Sequence, residues 1–248
     1  MSDLKPSTRR SPKPKAVLVE PLKAPARAKR VKAPKPVDRT TLEEIFRRFH
    51  ALEPEPKGEL EHLNPFTLLV AVVMSAQATD AGVNKATRGL FPVADTPQKM
   101  LALGEEGVRE RIRTINFFNT KAKNIIALSR RLVDEFGGEV PRAVEVLETL
   151  PGVGRKTASV VVNMAFGTPR IAVDTHIFRV TNRIPLAVTK APLDTQDALE
   201  ALVPEAYLLH AHHWLILHGR YICKARKPEC WRCPISDLCR YPDKTPAP

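Results

Sequence analysis

All four cysteines of the chain lie within its last 26 residues, in the pattern Cys223-x6-Cys230-x2-Cys233-x5-Cys239. Thiols so close in sequence can converge on one metal centre, which then closes the loop between them. Zinc sites usually present two short cysteine pairs that are well separated, whereas this segment has one close pair flanked by single cysteines. The spacing therefore favours a [4Fe–4S] cluster over zinc and leaves both open. Either centre constrains the end of the chain to a compact, metal-closed loop.

The net charge of +12 is concentrated at the N-terminus. Residues 1–37 hold eleven Lys or Arg, two acids, seven prolines and no aromatic residue, and so account for +9 of that charge. A segment of this composition cannot bury enough apolar surface to offset its ordering entropy, so we expect a disordered, extended arm. Such an arm is a solubilising tail, a targeting segment or an electrostatic tether to a polyanion such as nucleic acid.

The remaining residues have the composition of a globular protein rather than of a membrane or secreted one. Apolar residues make up 43% of the chain and charged residues 27%. The longest strictly apolar run, Leu68 to Met74, is far too short to span a bilayer. No apolar stretch follows the N-terminal basic residues, so we expect neither a secretory signal nor a membrane partner.

Capping and terminating signals beyond residue 37 recur at the spacing of helices. They predict helix starts at Thr41 (a capping box with Glu44), at Asn64-Pro65 and at Asp80, and a helix end at Gly137-Gly138. The helical runs that these signals bound are 41–52, 66–77, 80–90 and 120–136. No segment shows the period-two alternation of a strand, so the fold class is predicted to be all-α.

The segment Leu150-Pro-Gly-Val-Gly-Arg-Lys156 joins a helical run from about Pro141 to a second run over 155–166. Its two glycines allow a tight turn and a close approach of the backbone to a ligand, although glycines that serve only helix packing give the same pattern. The N–H groups at the start of the second helix, backed by the helix dipole, would bind a phosphate without reading a base. The DNA contacts expected here are Leu150, Gly152, Gly154 and Arg155.

Lys156 and Asp174 can supply chemistry to a site at this hairpin. The helix dipole disfavours an ammonium at Lys156, and a neutral amine can form a Schiff base with a sugar C1′. Its position equally fits a phosphate-binding or solvated lysine. Asp174 precedes a helical run and suits an N-cap, but its carboxylate could also take the lysine proton and stabilise a cationic sugar. His176 is either a packed surface histidine or a DNA contact.

The loop between the first two cysteines is basic. It carries Lys224, Arg226 and Lys227. A basic loop that is pinned by a metal cluster forms a rigid edge for binding phosphates, so these three residues are predicted to contact DNA.

Together these motifs resemble the endonuclease III family of helix-hairpin-helix DNA glycosylases. The resemblance extends from about Thr41 to Tyr241. Besides the hairpin and the four cysteines, it is carried by Ser75-Ala-Gln-Ala-Thr-Asp80, Val173-Asp-Thr-His-Ile-Phe-Arg179 and His212-His-Trp-Leu-Ile-Leu-His-Gly-Arg220. It implies a six-helix barrel over residues 58–168, an iron–sulfur lobe from 38–57 plus 169–241, a tail over 242–248, and DNA in the cleft between the two lobes.

The resemblance also implies roles for individual residues. Lys156 matches the Schiff-base lysine and Asp174 the catalytic aspartate, while the four cysteines match the ligands of one [4Fe–4S] cluster per chain. Gln77 matches the residue that fills the gap left by a flipped base. Phe117 stands where the best-known members place a leucine wedge, a departure that leaves the preference for the opposite base open. With Gln77 and Phe117, His176 matches a third residue that the family places at the flipped base, the one closest to the catalytic aspartate. Asp80 and Glu148 are expected to line the base pocket.

The function that the resemblance implies is that of a bifunctional DNA glycosylase and apurinic/apyrimidinic lyase. It would remove oxidised pyrimidines from double-stranded DNA in base excision repair and act on abasic sites. The related adenine glycosylases lack the hairpin lysine and have an added C-terminal domain, whereas this chain has Lys156 and stops nine residues after Cys239.

We expect no nucleotide or flavin cofactor and a monomeric protein. Its expected location is the bacterial cytoplasm at the nucleoid, or the nucleus or mitochondrion if the source is eukaryotic. Two alternatives remain: a monofunctional glycosylase in which Lys156 only binds phosphate, and a non-enzymatic DNA-binding module.

Overall fold

The computed structural model describes residues 35–248, so residues 1–34 of the arm predicted over 1–37 lie outside the described residues. Residues 35–248 form ten α-helices and one 3₁₀ turn at Cys230–Arg232, and they include no β-strand. The helices are α1 (Arg39–Leu52), α2 (Pro65–Ser75), α3 (Asp80–Leu90), α4 (Pro97–Ile112), α5 (Phe118–Phe136), α6 (Val144–Leu147), α7 (Arg155–Phe166), α8 (Thr175–Arg183), α9 (Pro192–Leu202) and α10 (Glu205–Tyr221). None of the helices in this range is long and apolar enough to cross a membrane.

Two helices are capped by an earlier residue than the sequence predicts; α1 also begins earlier, whereas α3 spans the predicted residues 80–90. Asp38, and not Thr41, caps α1: its Oδ1 accepts a hydrogen bond from the Thr41 N–H at 2.9 Å. Thr79, and not Asp80, caps α3: its Oγ1 accepts from the Gly82 N–H at 3.2 Å. The physical reason is the same in both cases. The cap is the residue whose backbone is still extended and whose side-chain oxygen reaches the N–H three residues later.

Other boundaries follow the sequence signals more closely. Asn64 caps α2 in a capping box with Thr67, as the Asn-Pro signal predicts, although the helix ends at Ser75 rather than at Gln77. The end of α5 is also as predicted, because Gly137 takes a left-handed φ of +62° just beyond it.

The helices pack around two hydrophobic cores. The first core is built by α2 to α7 and the second by α1 together with α8 to α10. In the second core the Phe46 ring of α1 lies against Trp214 of α10, with ring centroids 6.4 Å apart. The chain leaves the second core after α1 and returns to it at α8.

The segment 35–37, which the sequence assigns to the arm, belongs to the fold. Val37 is buried in the second core, and its N–H donates to the Pro185 carbonyl at 2.9 Å. The Pro36 carbonyl accepts from Arg240 Nη1 at 2.9 Å. An apolar side chain and satisfied backbone groups thus hold residues 35–37 against the second core, although the composition assigns them to the arm.

Candidate functional site

The turn between α6 and α7 is anchored by buried side chains and leaves the start of α7 uncapped. Leu150 and Val153 are buried, and Gly152 has a φ of +78°. A Cβ at Gly152 would lie 2.8 Å from the side chain of Asn124 in α5, so this position requires glycine for space as well as conformation. Gly154 is the N-cap, and no side chain in the described part of the chain caps the first turn. Its N–H groups therefore face outward as an anion site.

Two residues predicted to contact DNA at this turn make contacts within the protein, and their contact with DNA stays a prediction. The side chain of Leu150 lies in the first core, and its N–H and C=O are bonded within the turn to Leu147 and Val153. The Arg155 guanidinium lies 3.2 Å from a Glu148 oxygen, and this ion pair holds it on the hairpin. Glu148, predicted to line the base pocket, makes that ion pair and does not line the cleft described next.

Lys156 lies in the first turn of α7 beside a cleft between the two cores. The cleft is lined by α2, α3, α7 and α10, and its charged residues include Asp80, as predicted, and Arg220. Lys156 is exposed, and no ion pair within residues 35–248 includes it, whereas the adjacent Arg155 is paired. The cleft is thus lined by two primary amines without an ion pair in the described range, Lys57 and Lys156, and of the two only Lys156 lies in the first turn of a helix.

One face of α10 forms the opposite wall. His212, Ile216 and Arg220 are spaced by four residues and all line the cleft. Burial lowers the pKa of His212 to about 3, with the charges of its neighbours acting in the same direction, so the imidazole behind Lys156 is neutral. Arg220 joins the two cores, because its Nη1 is 2.5 Å from Asp80 Oδ2 of α3 and also contacts Glu59.

Asp174 is the N-cap of α8, as the sequence predicts. Its Oδ1 accepts hydrogen bonds from the N–H groups of His176, at 2.9 Å, and Ile177, at 2.8 Å. These cap bonds do not use Oδ2. Asp174 is not among the residues that line the cleft around Lys156, but His176 lines the adjoining depression together with Asp80 and Arg220. The catalytic role of Asp174 stays a prediction.

Three residues singled out by the sequence have strained backbones. Gln77, Phe117 and Lys227 have φ values of +55°, +57° and +49°, and they are three of the four non-glycine residues with positive φ in the described range. The Phe117 side chain is 62% exposed although it is a large apolar group. Such strain concentrates at functional loops, which agrees with the predicted role of these residues at DNA.

The four cysteines line one pocket under the basic loop, and none of them forms a disulfide. Burial raises the pKa of the Cys233 thiol to about 11, and the other three thiols act in the same direction. Four thiolates placed together here therefore require a cationic centre to stabilise them.

Hydrogen-bond donors surround the sulfurs, as a thiolate-bound cluster needs. Arg183 Nη1 lies 3.6 Å from Cys223 Sγ, and the Tyr241 N–H donates to Cys239 Sγ at 3.4 Å. Arg183 also donates to the carbonyls of Lys224 and Ala225. The side chains present thus fit an iron–sulfur cluster, and the same arginine fixes the basic loop to it.

The three predicted cations of this loop differ in their surroundings. Lys224 is half-buried and forms an ion pair with Glu229, with a distance of 2.6 Å between nitrogen and oxygen. Arg226 and Lys227 are exposed, and neither forms an ion pair within the described range. These two remain the better candidates for binding phosphate.

Comparison with known proteins matches both parts of the fold. Residues 70–205 match the HhH-GPD superfamily of base excision DNA repair proteins, and residues 223–239 match the iron–sulfur binding domain of endonuclease III. The chain is 54% identical over 208 residues to endonuclease III of Haemophilus influenzae, covering 84% of this chain and 99% of that protein. It is 55% identical over 201 residues to endonuclease III of Escherichia coli K12, covering 81% and 95%.

A structural comparison agrees. A trapped covalent intermediate of endonuclease III with DNA aligns with a TM-score of 0.77 at 43% identity, covering 83% of this chain and 97% of that one.

The chain belongs to the endonuclease III family.

Membership in the endonuclease III family confirms the all-α fold class and the predicted enzyme class, a DNA glycosylase and abasic-site lyase of base excision repair. The match over 223–239 includes all four cysteines and decides between the two metals in favour of the [4Fe–4S] cluster. The shared pocket and the donors around the sulfurs fit that cluster.

Sequence reasoning missed several residues of the site. The spacing by four of His212 and Arg220 about Ile216 could have predicted a common helix face toward the cleft. Glu59 lies in an irregular segment and has no comparable signal. Asn116 and Lys121, which contact the loop of Gln77, become visible only in the tertiary structure.

Proposed function

We propose that the protein excises oxidised pyrimidines from double-stranded DNA and cleaves the resulting abasic site, with Lys156 as nucleophile and Asp174 as its carboxylate partner. One observation carries the proposal. Lys156 is an unpaired amine beside a cleft, in the first turn of a helix whose N-terminus has no side-chain cap. A DNA phosphate bound at that N-terminus brings the neighbouring sugar within reach of the amine.

The duplex would be held by contacts that do not read sequence. The outward N–H groups at the start of α7 and the exposed Arg226 and Lys227 suit phosphates, and Gln77 and Phe117 suit entry into the base stack. The described residues of one chain supply all of these groups, which supports action as a monomer. The relatives named above are bacterial, which supports a role at the bacterial chromosome in the cytoplasm.

The reaction follows from the chemistry of an amine and a carboxylate. The neutral Lys156 Nζ attacks C1′, the C1′–N bond of the damaged nucleotide breaks, and the base leaves with the bonding electrons and takes up a proton. The lysine nitrogen loses a proton, for which the Asp174 carboxylate is the acceptor. The C1′–O4′ bond then breaks as C1′ and the nitrogen form an imine, and O4′ takes up a proton to leave as the 4′-hydroxyl. The same carboxylate stabilises the positive charge that develops on the sugar.

Strand cleavage follows at the imine. The imine makes the C2′ proton acidic, and its removal expels the phosphate on the 3′ side by β-elimination. Water then hydrolyses the imine and returns the free lysine. The iron–sulfur cluster, when bound, holds the loop that carries Arg226 and Lys227.

Borohydride trapping on a duplex with an abasic site tests the assignment, because the reagent reduces the imine to a stable covalent bond. We expect the wild type to be trapped and Lys156→Ala not to be trapped. Lys99→Ala is a matched control: Lys99 also lies in the first turn of a helix, but Thr96 caps that helix and Asp95 pairs with the lysine at 2.8 Å. An equal yield of trapped Lys156→Ala would assign the nucleophile to another amine.

The same assay separates the alternative functions. A monofunctional glycosylase would release the damaged base without forming a trapped complex. A DNA-binding module would bind the duplex and do neither.

A further inference from the structure

Two side chains tie the loop that carries Gln77 to the segment that carries Phe117. Asn116 Nδ2 donates to the Gln77 carbonyl at 3.1 Å. Lys121 Nζ donates to the Ala76 carbonyl at 2.7 Å. The loop between α2 and α3 and the start of α5 are thus joined by two hydrogen bonds to consecutive carbonyls.

Lys121 is an unusual tie. Its side chain is only 5% exposed, and no ion pair within residues 35–248 includes it. A buried ammonium without a carboxylate is costly, so its bond to the Ala76 carbonyl is a contact on which the local structure depends.

The ties act on residues that packing does not hold. Gln77 and Phe117 are both exposed, and both have left-handed φ values near +56°. Conformations of this kind persist only where their surroundings impose them. The Asn116 amide lies next to Phe117 in sequence and bonds to Gln77 in space, so it restrains both residues at once.

The helix that follows extends this restraint to the phosphate-binding hairpin. Further along α5, the Asn124 side chain packs against Gly152, and Arg131 donates to the Thr149 carbonyl. One helix therefore connects the hairpin at α7 with the two exposed, strained residues. A duplex seated on the hairpin meets those residues at a spacing that the protein sets.

We propose that Asn116 and Lys121 are positioning residues for base extrusion, which hold Gln77 and Phe117 in their inserting conformation before DNA binds. The proposal rests on the proposed function, in which Gln77 and Phe117 enter the duplex. With the ties intact, the loops need no ordering as the base leaves the stack. Without them, part of the binding free energy is consumed in ordering the loops.

The test compares a lesion that must be extruded with one that need not be. The probes are two oligonucleotides with the same oxidised thymine, thymine glycol, either paired with adenine in a duplex or placed in an unpaired bulge. Asn116→Asp keeps the side-chain shape but replaces the donating amide by an acceptor, and Lys121→Met keeps the aliphatic stem. In single-turnover excision, we expect each variant to be about tenfold slower on the paired lesion and to lie within about twofold of the wild type in the bulge, because an unpaired base needs least work to extrude.

Two controls isolate the tie from a general loss of structure. Asn182→Asp removes a comparable bond, from an asparagine amide to the Phe178 carbonyl in α8, and should leave the ratio of paired to unpaired excision unchanged. Adding Asn116→Asp to Gln77→Ala should slow excision no further than Gln77→Ala alone, since a positioning residue acts through the residue that it positions.

The outcomes separate this inference from the proposed function. Equal slowing on paired and bulged lesions, or additive effects of Asn116→Asp and Gln77→Ala, would overturn the inference while excision and borohydride trapping by the wild type persist. Failure of the wild type to excise or to be trapped would instead overturn the proposed function. If Lys121→Met does not fold, Asn116→Asp decides the question, because its bond lies at an exposed loop.

Discussion

The two helix starts that carry the proposed chemistry are built in opposite ways. Helix α7 begins after Gly154 with no side-chain cap and carries Lys156 in its first turn, whereas α8 begins after Asp174, whose carboxylate receives two backbone N–H groups. The first start leaves its N–H groups for an external anion. The second neutralises them internally and fixes an anion of the protein in place. The helix N-terminus therefore binds an external anion in α7 and holds the carboxylate of Asp174 in place in α8.

Replacing the carboxylate of the capped start should have the largest effect. Asparagine caps a helix as well as aspartate does, so Asp174→Asn should fold normally and bind DNA. Without the negative charge, we expect single-turnover excision to fall by about 10²-fold or more, the range of general-base and electrostatic contributions. Excision kinetics on a lesion-containing duplex and thermal unfolding of the same variant measure the two properties separately.

A matched variant makes this result specific. Asp38 caps α1 through the same kind of hydrogen bond and pairs with Arg240 at the surface, so Asp38→Asn should leave excision unchanged and lower the melting temperature only slightly. A lower melting temperature for Asp174→Asn with near-normal turnover would reduce Asp174 to a helix cap.

The buried histidines behind Lys156 should make the stability of the protein sensitive to acid on the side of the cleft opposite α7. Folding lowers the pKa of His212 from 6.5 to about 3 and that of His213 to about 4, in both cases mainly through burial. Between the folded pKa and the unfolded pKa of 6.5, each histidine binds more protons in the unfolded state than in the folded state. The free energy of unfolding is therefore highest above about pH 6.5 and falls as the pH drops below it. Each histidine contributes a slope of up to about 1.4 kcal/mol per pH unit.

Urea unfolding of the wild type and His212→Gln between pH 7.5 and 5 measures this slope. We expect a shallower decline in the variant, since one titrating group has been removed. The control His62→Gln changes an exposed residue and should retain the wild-type slope. Parallel curves for His212→Gln and the wild type would show that His212 does not contribute to the acid sensitivity.

Capping the open start of α7 should have the smallest effect. A Cβ at Gly154 meets no atom within 4 Å, and its backbone has the extended conformation of a normal N-cap. Gly154→Ser should therefore raise the free energy of unfolding by about 0.3 kcal/mol. The serine oxygen would occupy an N–H group that a phosphate needs, so affinity for undamaged duplex should fall severalfold.

Gly154→Ala separates the two causes, because alanine adds the same Cβ but no acceptor. Its affinity for duplex should stay near that of the wild type. If serine and alanine weaken binding equally, the added carbon rather than the cap oxygen is responsible, and the open start of α7 is not the phosphate site.

Helix ends could be predicted from the sequence where only one residue nearby is able to cap the helix. Asn64 and Gly137 stand alone as capping residues, and the structure uses both. At α1 and α3 two capping side chains occur within three residues, and the choice between them depends on backbone conformation. Sequence alone does not contain that conformation, so the capping-box pattern predicts Thr41 as the cap, whereas the structure uses Asp38.

Candidate site residues could be predicted where they stand close in sequence to the motif on which their chemistry depends. Lys156 follows its hairpin directly, and the cysteines stand close together in sequence, so spacing alone singles out both. The pairing of Arg155 with Glu148 depends on side-chain geometry, which spacing does not specify. Arg220 meets Glu59 from more than 150 residues away, and only the packing of the two cores creates that contact.

The second core is built from two separate parts of the sequence, α1 and α8 to α10, and this separation determines the order in which the core can assemble. Helix α1 emerges from the ribosome early, but the partner of its apolar face, α10, begins 153 residues after α1 ends. At roughly 5–20 residues per second, Ile45 and Phe46 wait about 8 to 30 s for that partner, while the first core can already close. The cysteine loop follows α10 directly, so the iron–sulfur ligands and the last hydrophobic surface become available together. During that interval a chaperone that shields α1 would protect the nascent protein from aggregation, and iron delivery would coincide with the final step of folding.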